Sequence, residues 1–180
     1  MNRISIVSIA LLFLFSVISA CSTDSGFNIP EPTFDNVPDP FDISEAEEEP
    51  VSDGITKFVK EEGEGEDQVV IRDNVAMWLT LRNSEGTIIY STYQDGNTSS
   101  VPFSLQDIVT NRSGNPIFNF NETRAFTDGL RKGLIGMKEG EKRVLIVPPE
   151  QGFSDIPSGS INGEFRDDTL RYDIELDFIF

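Results

Sequence analysis

The stretch Asp128-Gly-Leu-Arg-Lys-Gly-Leu-Ile-Gly-Met-Lys-Glu-Gly-Glu-Lys-Arg-Val-Leu-Ile-Val-Pro-Pro-Glu-Gln-Gly-Phe153 decides the fold. Its first part has the marks of a short helix. Thr127 precedes it as a cap, Asp128 lies at the positive end of the dipole, Leu130, Leu134 and Ile135 share one face, and Gly136 is the stop. Gly129 and Gly133 keep that helix thin. Arg143 to Val147 follows as a strand, closed by Pro148 and Pro149, which cannot continue a ladder.

Outward from this stretch the period changes from helix to strand. At the carboxyl end Leu170, Tyr172, Ile174, Leu176, Phe178 and Phe180 alternate with Arg171, Asp173, Glu175 and Asp177, which predicts a strand with one buried and one wet face. Val75, Met77, Leu79 and Leu81 alternate with Ala76, Trp78, Thr80 and Arg82. The turn Asn83-Ser84-Glu85-Gly86 and a second run from Thr87 to Tyr93 then make a hairpin. The same alternation sets Trp78, Thr80, Arg82 and Tyr90 opposite the apolar face, so Trp78 must be covered by something else or by a substrate. Ile55 to Val59 is a further strand. Strands around one short helix give an α+β architecture, an antiparallel sheet with the helix laid across it.

The opening of the chain is a different kind of sequence. Met1-Asn2-Arg3 and the apolar run from Ile4 to Ala20 have the charged start, hydrophobic middle and small-residue end of a secretory signal. Ile18-Ser19-Ala20-Cys21 resembles a bacterial lipobox, which implies lipidation of Cys21 as the first residue of the mature chain. Acyl chains bury roughly 0.8 kcal/mol per methylene and anchor a protein to a membrane without a spanning helix. Residues 21–50 are rich in Asp and Glu, carry Pro30, Pro32, Pro38, Pro40 and Pro50, and contain no Lys or Arg. That composition predicts a disordered, self-repelling tether. The expected division is therefore a signal over 1–20, a tether over 21–50 and one domain over 51–180. Ser22 and Thr23 lack the Asp that often retains lipoproteins in an inner membrane, so the expected place is the outer membrane of a bacterial envelope.

Composition excludes much chemistry. A net charge of -17 argues against nucleic acid as a partner. There is no His, and the single Cys, Cys21, is taken by the anchor, so catalytic triads and imidazole or thiolate metal centres are out of reach. Glu61 to Asp67 is acidic and Gly-rich but lacks the spacing of a calcium or phosphate loop.

The stretch from Asp128 to Phe153 resembles the FKBP-type peptidyl-prolyl isomerases. That family's pattern has a helix with two glycines, a Gly-Met-Lys-x-Gly-x-Lys-Arg turn, a strand ending in Pro-Pro, and Gly-Tyr or Ala-Tyr at a pocket. Thr169 to Leu176 is similar to the family's closing Thr-Leu-x-Phe-Asp-Val-Glu-Leu strand, and Val75 to Thr92 to its first hairpin. The resemblance implies a bent antiparallel five-stranded sheet wrapped around one short helix, with an apolar pocket between them and no cofactor. Carried over by position, it places Trp78 at a pocket Tyr and Phe103, after Pro102, at a pocket Phe. Phe126 and Thr127 take the Val-Ile pair whose second amide donates to a bound carbonyl. Leu130 lies at the pocket floor, Phe153 replaces a pocket Tyr, and Tyr172 matches the Phe of the last strand. Ile89 and Tyr90 stand where the family has Phe-Asp before Ser. Two loops, 106–123 and 154–168, are longer than the pattern.

What the resemblance implies is cis-trans isomerisation of proline bonds in exported or unfolded proteins, a reaction that requires no nucleophile. The departures at Tyr90 and Phe153 imply weakened catalysis, and they keep open an alternative, a chaperone or peptide-binding module on the same fold.

Overall fold

Period-two alternation becomes strand wherever the apolar set can be buried on one side, and the computed structural model shows this over most of the domain. It describes residues 31–106 and 125–180; the signal, Cys21 and residues 107–123 of the first long loop lie outside the described residues. In chain order the elements are β1 (Glu48–Pro50), β2 (Thr56–Glu61), β3 (Asn74–Asn83), β4 (Ile88–Ser91), β5 (Val101–Ser104), α1 (Asp128–Leu134), β6 (Lys142–Val147) and β7 (Leu170–Ile179). They form a sheet in the order β1-β2-β6-β7-β3-β4, with β5 also paired to β3, and every pairing is antiparallel. Among the described residues the sheet has seven strands against the five expected. The acidic segment contributes β1, and β5 carries Pro102 on a strand whose only partner among the described residues is β3, where a missing N–H is tolerated.

The helix sits on β6, and its two glycines are the reason it can. A Cβ built on Gly129 would lie 2.3 Å from Val147 Cγ1, and one on Gly133 would lie 2.1 Å from Leu145 Cδ1. Thr127 Oγ1 accepts from the Leu130 N–H at 3.1 Å, as a cap should. Gly136, at φ +79°, ends the helix as expected. Ile135 departs from expectation. Its backbone is already extended (ψ 135°) and its side chain is 44% exposed, so it does not share the buried face of Leu130 and Leu134.

Two readings of the surface are corrected. Residues 32–50 are not a free spacer: Pro32 to Phe180 is one compact unit. Within it β1 pairs with β2, and Phe41 is hydrogen-bonded to β7 through Asp173 and Arg171. The faces of β7 also differ from expectation: beyond a register shift opposite Ala76 and Met77, Phe178 and Phe180 are exposed rather than buried, and the face expected to be wet is covered at Asp173 though not at Asp177. Asp173 and Arg82 are 6% and 4% exposed, because residues 38–41 cross the sheet there.

Candidate active site

The inner face of the sheet is built from rows of facing residues. Leu145 pairs with Tyr172, Tyr172 with Leu81, and Leu81 with Tyr90, so these four side chains share one face. Arg143, Ile174 and Leu79 make the next row. The hairpin has a register shift between Leu81 and Arg82. It turns Tyr90 to the inner face, against the expectation from simple alternation, while Ser91 pairs with Thr80 on the outer face, their hydroxyls 3.0 Å apart.

At the start of α1 three hydroxyl and carbonyl groups form a closed chain inside the core. The Tyr172 hydroxyl donates to the Ala125 carbonyl at 2.9 Å. Its one proton is spent there, so Thr127 Oγ1, 2.9 Å away, is the donor to Tyr172 while it accepts from the Leu130 N–H. Burial pushes the Tyr172 hydroxyl well above the ordinary tyrosine range, and the bond from Thr127 offsets only part of this. Among the described residues nothing accepts from the Thr127 N–H.

The residues expected from sequence gather here with one exception. Ile89, Phe103, Leu130, Phe153 and Tyr172 belong to one core cluster, each no more than 6% exposed, and Thr127 is buried beside them. Tyr90 and Phe126 are half-buried and packed against that cluster. The Arg131 guanidinium lies 5.3 Å over the Phe126 ring. Trp78 is the exception. It pairs with Glu175 on the outer face and stacks on Tyr93 at 4.5 Å and 18°, so it takes no part in this site. Its neighbour Leu79, fully buried, is the inward residue at that level. Counting the strand from Val75 could have found it, because a slip of one residue exchanges the two faces.

Residues 65–177 match the model of the FKBP-type peptidyl-prolyl cis-trans isomerases. The chain belongs to this family. A curated relative, the peptidyl-prolyl cis-trans isomerase PASTICCINO1 of Arabidopsis thaliana, is 26% identical over 128 residues, 70% of this chain but only 18% of that protein. Among solved structures, a peptidyl-prolyl cis-trans isomerase from Pseudomonas syringae superposes with a TM-score of 0.54 at 19% identity, covering 73% of this chain and 80% of that one. The N-terminal domain of FKBP42 from Arabidopsis thaliana gives 0.58 at 17% identity, over 81% and 98%. These likenesses carry the FKBP-like fold, an antiparallel sheet with one short helix.

The FKBP turn from Gly136 to Arg143 has a structural task in this chain. Gly136 and Gly140 both take φ +79°, open to glycine at no steric cost. Arg143 reaches under the helix, where Nη1 donates to the Gly133 carbonyl at 2.7 Å and Nε to Glu141 Oε1 at 2.7 Å. Glu141 in turn accepts from the Lys138 N–H at 3.0 Å. A guanidinium satisfies the carbonyls that a helix end leaves unpaired and favours its negative pole. Sequence reasoning left Ile156 of the second loop unplaced and missed Phe165, and both pack half-buried on the same core cluster. They are apolar residues in a polar loop, and that was their only signal. Ile161, of the same loop, is 64% exposed and lies outside the site.

Proposed function

We propose that the chain isomerises X-Pro bonds of exported proteins while a lipid on Cys21 holds it to a bacterial membrane, the outer one. One observation carries the catalytic part: an aromatic and aliphatic cluster converges on the helix cap where, among the described residues, the Thr127 N–H has no acceptor. Family membership supports the same reading.

The barrier to isomerisation, about 18–20 kcal/mol, is amide resonance. Twisting the C–N bond breaks that resonance and makes the amide less polar. Walls such as Phe103, Leu130 and Phe153 offer the planar carbonyl no water, so they favour the twisted amide over either planar isomer. The Thr127 N–H gives the carbonyl one fixed donor as it turns. No bond to the protein forms, which suits a chain without His.

The test is exchange NMR of a short proline peptide with the full chain, because it reads the cis-trans rate and binding in one sample. We expect exchange above the uncatalysed rate, lowered about tenfold or more by Phe103→Ala, a loss of roughly 1.4 kcal/mol in the transition state. Peptide shifts on binding with no added exchange would overturn the isomerase. They would leave a peptide-binding module, the second reading, which the half-buried Tyr90 ring on the inner face favours. For the anchor, Cys21→Ser is expected to leave the precursor uncleaved or the protein free of the membrane fraction. A processed, membrane-bound Cys21→Ser chain would refute lipidation.

A further inference from the structure

The outer face of the sheet holds its covering segment in an unusual way. Arg82 Nη2 donates to the Pro38 carbonyl at 2.7 Å, the Phe41 N–H donates to Asp173 Oδ1 at 3.0 Å, and Arg171 Nη2 donates to the Phe41 carbonyl at 2.6 Å. All three bonds run from side chains of β3 and β7 to main chain of residues 38–41. Pro38 and Pro40 have no N–H and could not have joined a ladder, so side chains grip the backbone instead. Arg82 and Asp173 are joined at 2.7 Å with both side chains only 5% exposed. A buried pair of this kind carries a desolvation penalty that its own attraction can fail to offset, and apolar residues would cover a sheet face as well. What an ion pair supplies and apolar residues do not is a set of donors and acceptors for a main chain. Beside it Pro38 and Phe41 line a cavity of about 10 Å³ together with the stacked rings of Trp78 and Tyr93. That leaves room for roughly one water, so the groove is filled.

We propose that this face is a second peptide-binding site, which recognises the main chain of an extended, proline-containing segment, with the chain's own Pro38–Phe41 as its resting ligand. It lies on the opposite side of the sheet from the candidate active site and does not rest on the isomerase reading. The ligand is pinned at both ends. Upstream, the Thr33 N–H donates to Asp95 Oδ1 at 2.9 Å and the Asp95 N–H to the Thr33 carbonyl at 3.0 Å; downstream, β1 pairs with β2. A ligand tethered at such short range outcompetes free peptide by effective concentration.

The experiment uses the full chain, a synthetic peptide of residues 32–47 as probe, and Trp78, the only tryptophan, as reporter. In a chain carrying Pro38→Gly and Phe41→Ala the Trp78 emission is expected to shift to the red, and added peptide to restore it saturably. The natural chain, its groove filled, is expected not to respond at the same peptide concentration. Adding Arg82→Met and Asp173→Leu to the weakened chain is expected to abolish the response. A folded weakened chain that shows no saturable response, or one that responds as strongly after the clamp is removed, overturns the proposal. Hydrogen exchange on the natural chain decides the matter even if the weakened chain does not fold. The Phe41 amide is expected to exchange at least about tenfold more slowly than in the free peptide, and an equal rate overturns the proposal.

Discussion

Tyr172 brings a hydroxyl into a core where nearly every neighbour is apolar, and it is tolerated because Ala125 accepts its proton and Thr127 donates to its oxygen. The same burial makes its ionisation a stability matter. A tyrosine whose pKa is raised in the folded state keeps its proton longer than in the unfolded chain. Its contribution is therefore complete below the unfolded value near 10 and is lost as pH rises through the folded value. We expect urea stability to fall above about pH 10, by up to about 1.4 kcal/mol per pH unit from this group. Tyr172→Phe, although less stable at pH 7 because the Ala125 carbonyl loses its donor, should show a shallower fall. Parallel pH profiles for the two chains would mean that the hydroxyl reaches water. Tyr90 and Tyr93, also raised by burial, act in the same direction in both chains and cancel in the comparison.

At the scale of elements, the contact of α1 with β6 is set by what its glycines lack. Alanine in an open helix is better than glycine by roughly 1 kcal/mol. At Gly129 the new methyl would meet Val147 Cγ1 at 2.3 Å and the Gln151 carbonyl oxygen at 2.9 Å. Valine is stiff at χ1 and a backbone oxygen cannot step aside, so the clash dominates. Gly129→Ala should destabilise the domain by about 1–3 kcal/mol in denaturant unfolding, and a stabilising result would show that helix and sheet are further apart. Strand β7 offers a second check. Leu176 is fully buried and Glu175 half-buried beside Trp78. Leu176→Ala is expected to cost about 2–5 kcal/mol and Glu175→Ala about 0.5 or less; equal losses would reverse the faces of the strand. Alternation made the faces of this strand legible from Leu170 to Leu176, but not beyond, where Phe178 and Phe180 are 47% and 60% exposed, and not what lay on the outer face. Asp173 reads as a wet residue by its period, and only the covering segment makes it a buried one.

For the whole molecule the dominant long-range term is self-repulsion, since the chain carries a net charge of -17. The ion pairs that matter to the fold, Arg82 with Asp173 and Arg143 with Glu141, are buried and little screened by salt. The surplus acidic residues are mostly exposed and screened strongly. Raising salt from about 0.01 M to about 0.15 M shortens the Debye length from roughly 30 to 8 Å and should therefore raise the Tm by about 2–5 °C. A falling Tm would mean that surface ion pairs outweigh the net repulsion.

Short-range signals in the sequence determined the helix cap at Thr127, the glycine turns, the hairpin and the strands around them. Each depends on residues a few positions apart, and propensity, period and capping act over that range. Most of the candidate site, from Ile89 to Tyr172, was legible through the spacing of a known family. Alternation had already set Trp78 opposite the apolar face, and the structure upholds it against the pocket position carried over from the family, because one residue of register exchanges the two sides of a strand. One result belonged to tertiary structure alone. The acidic segment joins the fold because Arg82, Arg171 and Asp173, distant in sequence, meet on one face and offer its proline-interrupted backbone the partners that composition alone could not foretell.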